Sequence, residues 1–475
     1  MSLGATAVAG DHEVHIPPPA KAAEQYQLPL VGLRPKTEYR VRVDGVAKAL
    51  TFRTGALPPD FPPIHLTVDR TRSQPGLTLL SLQPWGGTAG VAPEDLAHGY
   101  IAAVDDDGYV VWYLRSALGV LDAHTVPNGD VMFTYDELAL REVDVLGRLV
   151  RELDGHIALD VAPKTLDGVP RTTAKGVRVD ADSVHHDAQL LPNGDVLFLS
   201  TEMHPLTGPS KCGESTAEST YNVIADVVVE ADADTGKVVQ KWPLLDVFDP
   251  FERPGNELCN LGPKIAPPNY FYLGTDSLRD WTHANSVFFD EADNALVVSS
   301  RHLSSIYAVR YHADSEGPAG ELLWELGAQG TLKLDGEPTS YQHAAEVLPG
   351  NRILAYDNGN FHPDAPSSGG GAPPYSRAVI YQLDPDAGTA RQTWQYITHN
   401  ADGTPVFTAF LGDADLLENG NILITNGTLA RPGGLSARIV EVEPKSNDIV
   451  YDLTAGDAQH SWSVYRSERF PTLTP

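Results

Sequence analysis

Apolar residues along this chain fall in short runs, rich in β-branched and aromatic side chains, each closed by Gly, Pro, Asn or Asp. Helical periodicity is scarce, so the pattern predicts an all-β protein. Five segments repeat one template: an Asp/Ala start, two or three apolar residues, a tight polar turn, then another apolar strand. Asp122-Ala123…Pro127-Asn128-Gly129-Asp130 and Asp187-Ala188…Pro192-Asn193-Gly194-Asp195 are the clearest copies. Ala284-Asn285…Glu291-Ala292-Asp293-Asn294, Ala344-Ala345…Pro349-Gly350-Asn351 and Asp413-Ala414…Glu418-Asn419-Gly420-Asn421 are weaker ones. Most are followed by a second hairpin, as in Val379-Ile380-Tyr381…Pro385-Asp386-Ala387-Gly388…Trp394.

Two hairpins per repeat make four antiparallel strands, the blade of a β-propeller. Five blades are expected to start near residues 120, 183, 280, 341 and 408. Strands at 77–82 and 99–114 precede them and 462–470 follows. Joining the two ends into a sixth blade closes the ring and removes exposed sheet edges. The expected fold is a six-bladed β-propeller over residues 75–475. Residues 1–60 carry the turn-like run Gly32 to Tyr39 and the alternating strand Arg40-Val41-Arg42-Val43, and read as a small fibronectin/Ig-like β domain. The proline-containing stretch 61–74 reads as a linker.

Composition narrows the function. With 34 Lys+Arg against 63 Asp+Glu, the net charge of −29 argues against gripping nucleic acid or an anionic membrane. No apolar run approaches the roughly 20 residues of a bilayer-spanning helix. The first residues lack the features of a signal peptide. The two cysteines, Cys212 and Cys259, are too few for a disulfide scaffold. A bond between them would imply an oxidising compartment, and two free thiols are the equal alternative.

In a propeller the tight turns lie on one face and the longer connections on the other, where function concentrates. The long connections are expected at 201–220, 246–280, 358–376 and 426–435. At the entry to the inner strand the five repeats carry Leu121, His186, His283, His343 and Gly412, so three histidines meet at one channel mouth. Arg301, Asn285, Asn358, Asn426 and Arg377 are expected at the same face. His185 adjoins His186 and should point away. Tyr270, Tyr272, Trp281, Tyr341 and Phe361 are candidate walls for an aromatic ligand. Three neutral histidines suit a transition metal. They equally suit one nucleophile with helpers, and Arg301, a fixed cation fit for a phosphate- or sulfate-like oxyanion, favours that second reading without a metal.

The motifs His186-Asp187, Asp280-Trp281-Thr282-His283-Ala284-Asn285-Ser286, Ser299-Ser300-Arg301-His302, Gln342-His343-Ala344 and Asp357-Asn358-Gly359 resemble those of bacterial arylsulfate sulfotransferases that do not use the nucleotide sulfate donor. The resemblance implies transfer of a sulfuryl group from a phenolic sulfate ester to a phenol, in two displacements and without a cofactor. It implies that His343 is transiently sulfated, with His283, Asn285, Arg301 and His186 around the sulfuryl oxygens; with the positions read above, His343, His283, His186 and Arg301 are expected to be catalytic and Asn285, Asn358 and Arg377 to bind substrate. It further implies a periplasmic or secreted protein and a homodimer. Competing expectations are a metal-dependent propeller lyase or lactonase using the three histidines, and a binding propeller without catalysis.

Overall fold

The computed structural model describes residues 4–18, 27–84, 98–162, 164–166, 169–209, 218–253, 278–363, 365–432, 434–457 and 461–473. Cys212, Cys259, Tyr270 and Tyr272 lie outside them. The fold is nearly all β.

Five sheets, each built on four antiparallel strands, follow the five sequence repeats, with inner strands Val120–Thr125, His185–Leu190, Ala284–Asp290, His343–Leu348 and Asp413–Leu416. A sixth sheet joins the chain ends: Trp462–Phe470 pairs with Leu77–Pro84, followed outward by Gly99–Val104 and Val110–Ser116. The six inner strands touch one another in cyclic order, and Trp462–Phe470 closes the cycle against Val120–Thr125.

Each pair of adjacent sheets encloses its own apolar cluster. In the third sheet, Leu296 and Val298 face Leu197 and Val228 of the second. The alternate residues Ala295 and Val297 face Ile353 and Val379 of the fourth. Both faces of such a strand are buried, which is why the apolar runs are nearly continuous instead of alternating.

The stretch 61–74 is more than a connection. Its Ile64–Val68 strand pairs antiparallel with Asp448–Ala455 at the outer edge of the fifth sheet. Residues before it form a single four-stranded sheet around Ala5, Ala7, Ile16, Tyr39 and Val41. Among the described residues this is one sheet, where a sandwich has two. Arg34 Nε ties this sheet to the sixth through Asp105 Oδ2 at 2.7 Å.

Two stretches expected as long loops are paired strands instead. Asp195–Pro209 and Glu218–Asp232 run as a continuous ladder out to Pro209 opposite Glu218. Ile422–Arg431 and Gly434–Glu443 pair out to Arg431 opposite Gly434. Threonine, tyrosine and isoleucine at 218–224, paired with Met203 to Thr207, carry enough strand propensity to extend the hairpin beyond its sheet.

Candidate active site

Hydrogen bonds between neighbouring inner strands fix which residues are equivalent. The amides of Ala188, Val287 and Ala345 bond to Asp122 Oδ2, Asp187 Oδ2 and Ser286 Oγ of the preceding sheet. Two residues back from those amides stand His186, Asn285 and His343. Asn285, not His283, therefore occupies the third place in the row, and His283 lies two residues nearer the long-loop face. The register was misread because the Trp281-Thr282-His283 entry sets its histidine ahead of the bulge. A second row of bonds, from the amides of Thr125, Phe289 and Leu416 to Glu468, Gln189 and Glu346, aligns the closing strand. Three residues before those acceptors come Tyr465, His186 and His343. Tyr465 thus completes the histidine row, and Arg466 falls in the row of Asp122 and Asp187.

The inner strands bulge at these rows. Register shifts fall between His185 and Ala188, between Ala284 and Ser286, and between His343 and Ala345. Asp122, His186, His283 and Ala344 adopt left-handed backbone with φ of 45°, 57°, 48° and 46°. Such conformations cost non-glycine residues about 1–3 kcal/mol each and concentrate at functional sites. Gly412 stands in the same row at φ 116°, where a Cβ would come within 2.4 Å of the Tyr356 ring.

The structure brings His186, His283, His343, Arg301, Asn285 and Asn358 together. The His186 and His283 rings meet edge-on at 4.9 Å. His343 is buried, and its Nδ1 lies 2.6 Å from Asn358 Oδ1. Asn358 Nδ2 donates to the carbonyls of Thr408 and Leu411, both at 2.8 Å. Its oxygen therefore accepts, His343 carries its proton on Nδ1, and Nε2 keeps a lone pair. Burial, followed by the charge of Arg301, pushes the His343 imidazole well below the ordinary histidine range. It stays neutral near pH 7.

His186 Nδ1 lies 2.8 Å from His185 Nδ1. Burial opposes charge on His185, but Asp226, whose Oδ1 is 3.2 Å from His185 Nε2, and the more distant Glu137 raise it. Burial and the charges of His283, His185 and His343 push His186 well down. His185 thus donates, and His186 presents an Nε2 hydrogen to the site. It is His186 that faces His283, while His185 turns to Asp226.

His283 Nδ1 lies 2.6 Å from Asp280 Oδ2, and the neighbouring His302 ring packs on it at 4.4 Å. The Arg301 guanidinium lies over the Tyr341 ring at 4.5 Å and donates to the Ala409 carbonyl at 3.0 Å. Phe361, partly exposed, packs on Tyr341 at 4.7 Å, so these two rings do border the site. Trp281 does not, being fully buried with Nε1 bonded to the Arg253 carbonyl. Asn285 Nδ2 donates at 2.8 Å to the carbonyl of Gln342, the residue before His343. Asn426 lies within the fifth sheet, bonded to Tyr356 and Arg438.

The structure does not bring Arg377 to the histidines. Its guanidinium is spent on Asp357, Glu337, Gln395 and the Glu337 and Pro338 carbonyls.

Sequence reasoning missed Asp280 as a partner of His283, and missed Tyr465 and Arg466. Reading Trp462–Phe470 as the last inner strand, in register with the repeats, would have found the latter pair. Arg466 Nη1 sits 2.6 Å from Asp122 Oδ1 and 3.4 Å from Asp187 Oδ1, and Nη2 donates to the Asn285 carbonyl at 2.6 Å. Beyond it opens a cavity of about 290 Å³ bordered by Asp413, Asp415, Glu346 and Glu468. Among the described residues, the set able to hold a metal ion is Asp280, His283 and His302, with ligand atoms within 4.8 Å of one another. It shares one histidine with the trio read from the sequence.

The family model described as Arylsulfotransferase (ASST) matches residues 71–466. The chain belongs to the arylsulfotransferase family. It is 28% identical over 257 residues to the arylsulfate sulfotransferase AssT of Escherichia coli O6:H1 strain CFT073, covering 46% of this chain and 40% of that protein. It is 25% identical over 301 residues to the enzyme of that name from Lelliottia amnigena, covering 52% and 47%. The matches span less than half the length of these relatives. Among solved structures, a Bacteroides caccae protein of unknown function aligns at TM-score 0.42 and 14% identity, covering 83% of this chain and 98% of that one. The WD40 β-propeller domain of Doa1 aligns at TM-score 0.35 and 11% identity, covering 90% and 88%.

Proposed function

We propose that the six cyclically ordered sheets are the blades of one propeller, with residues 1–60 an appended β domain. We further propose that its channel mouth transfers a sulfuryl group from an aryl sulfate to a phenol through a sulfated His343. The observation that carries this reading is the environment of His343: neutral, its Nδ1 hydrogen held by Asn358, its Nε2 lone pair available, and Arg301 beside it.

Sulfuryl transfer, like phosphoryl transfer, depends mainly on positioning and electrostatics. His343 Nε2 forms the N–S bond as the aryl O–S bond breaks. The resulting phenolate takes a proton from His283 or His186. A phenol then enters, gives its proton to the same group, and attacks sulfur as the N–S bond breaks. Arg301 and the second Nδ2 hydrogen of Asn285 hold the sulfuryl oxygens, while Tyr341 and Phe361 flank the aryl ring. Asn358 orients the nucleophile. The substrates are small molecules, and family resemblance favours an exported protein that dimerises.

A two-substrate assay tests the reading. 4-Nitrophenyl sulfate should release nitrophenol slowly alone and much faster with a phenol acceptor, with a new aryl sulfate formed in equal amount. Hydrolysis unaffected by phenol, or no turnover, would reject transfer.

A further inference from the structure

Two imidazoles, His283 and His186, face the leaving oxygen in the mechanism above, and their surroundings differ. His186 has another imidazole behind its Nδ1, with Arg466 nearby, and both oppose a positive charge on it. His283 has a carboxylate behind its Nδ1 at 2.6 Å. Asp280 sits three residues upstream on the short strand Leu278–Asp280, which pairs with Glu218–Asp232 of the second sheet. The backbone carbonyl of Asp280 accepts from His302 Nδ1 at 2.7 Å, which holds His302 against the His283 ring, the two planes tilted by 31°. Glu137, whose carboxyl group acts on His283 as well, sits in a two-residue hairpin turn with Asp136, the two left-handed at φ 52° and 57°. A carboxylate only accepts hydrogen bonds, so the Nδ1 hydrogen of His283 is fixed toward Asp280 and Nε2 toward the channel.

We infer that Asp280 is a positioning residue that makes His283, and not His186, the group that protonates the leaving oxygen. The inference rests on the sulfotransfer reading. The imidazolium of His283 donates its Nε2 proton as the O–S bond breaks, leaving a neutral imidazole still bonded to Asp280. In the second half-reaction the acceptor's proton returns to Nε2, and the carboxylate again faces an imidazolium. His186 keeps its proton throughout and serves the sulfuryl oxygens.

The test is leaving-group dependence, since a proton donor matters most for basic phenolates. A series of aryl sulfates with phenols of increasing basicity is compared in the native protein and in Asp280→Asn, with Asp280→Glu as the conservative partner. The native protein should show a shallow fall in kcat/KM across the series. Asp280→Asn should lose less than about tenfold with 4-nitrophenyl sulfate and about a hundredfold or more with unsubstituted phenyl sulfate. Asp280→Glu should restore part of the difference. An even loss across the series, or a steep fall in the native protein itself, overturns the inference, and the latter result needs no folded variant. Native turnover of 4-nitrophenyl sulfate, measured first, separates the claims: its absence rejects the sulfotransfer reading and this inference with it, whereas turnover with an even loss rejects the role of Asp280 alone.

Discussion

Asn358 accepts the Nδ1 hydrogen of His343 at 2.6 Å while spending its own amide hydrogens on two backbone carbonyls. A side chain fixed at three points selects one tautomer of the imidazole. Asn358→Ala is therefore expected to lower kcat about 10–100-fold with little change in donor KM, because the tautomer with its lone pair toward the site is no longer favoured. It should also cost about 1–3 kcal/mol of stability, since the Thr408 and Leu411 carbonyls lose buried partners. Steady-state kinetics and denaturant unfolding check the two halves separately.

The pH profile follows from the charges around His343. Burial and Arg301, with His283 and Arg466 behind it, oppose protonation, and the Asn358 hydrogen bond favours it. The acid limb of kcat/KM should lie below the ordinary histidine range. Removing a positive charge makes the imidazolium easier to form, so Arg301→Gln should move that limb upward by roughly one pH unit. Activity at neutral pH should fall as well, because an oxyanion donor is lost. A limb that stays in place would show that Arg301 does not act on His343.

Beneath the histidines, Arg466 faces both Asp122 and Asp187, and His124 faces Asp122 as well. Arg466→Met leaves those carboxylates buried without it and should destabilise the fold by about 3–5 kcal/mol. The neighbouring Asp413 is pushed up to about 7, by burial foremost, with Asp122 and Glu346 adding to it against Arg466. A carboxyl raised in the folded state contributes stability at low pH that is lost as pH rises from about 4 through about 7. Asp413→Asn should thus raise stability by on the order of 1–3 kcal/mol more at pH 8 than at pH 5. Thermal unfolding at the two pH values checks the sign.

The fold was legible because each strand needs apolar residues on both faces, and tight turns punctuate them at repeat spacing. The ring closure could be argued from unpaired ends. The hairpin arms at 201–209 and 218–225, and at 426–431 and 434–435, were not legible, because Gly, Pro, Asn and charged residues interrupt the strand-forming ones there and hide the pairing. His186, His343 and Arg301 were readable from motif and position. Arg377 misled, because a strand start at the long-loop face does not reveal that Asp357 and Glu337 claim its guanidinium. Asp280 and Arg466 escaped because an Asp three residues before a His, or an Arg in a C-terminal strand, acquires meaning only from register.

Asp280, His283 and His302 could also hold a metal ion, so the two chemistries make different demands. A nucleophilic His343 with Arg301 needs no metal. Exhaustive chelation should leave aryl sulfate turnover within about twofold of the untreated protein, and added zinc should inhibit by occupying His283. Loss of activity on chelation, restored by a divalent metal, would favour the metal-dependent reading.

The central claim is that His343 becomes sulfated. The most direct test is to mix the protein with an aryl sulfate without acceptor, quench within one turnover, and map the modification by mass spectrometry under alkaline conditions. A sulfo group on His343 that disappears when phenol is added before the quench is the predicted result. Its absence there, together with intact turnover in His343→Asn, would contradict the account.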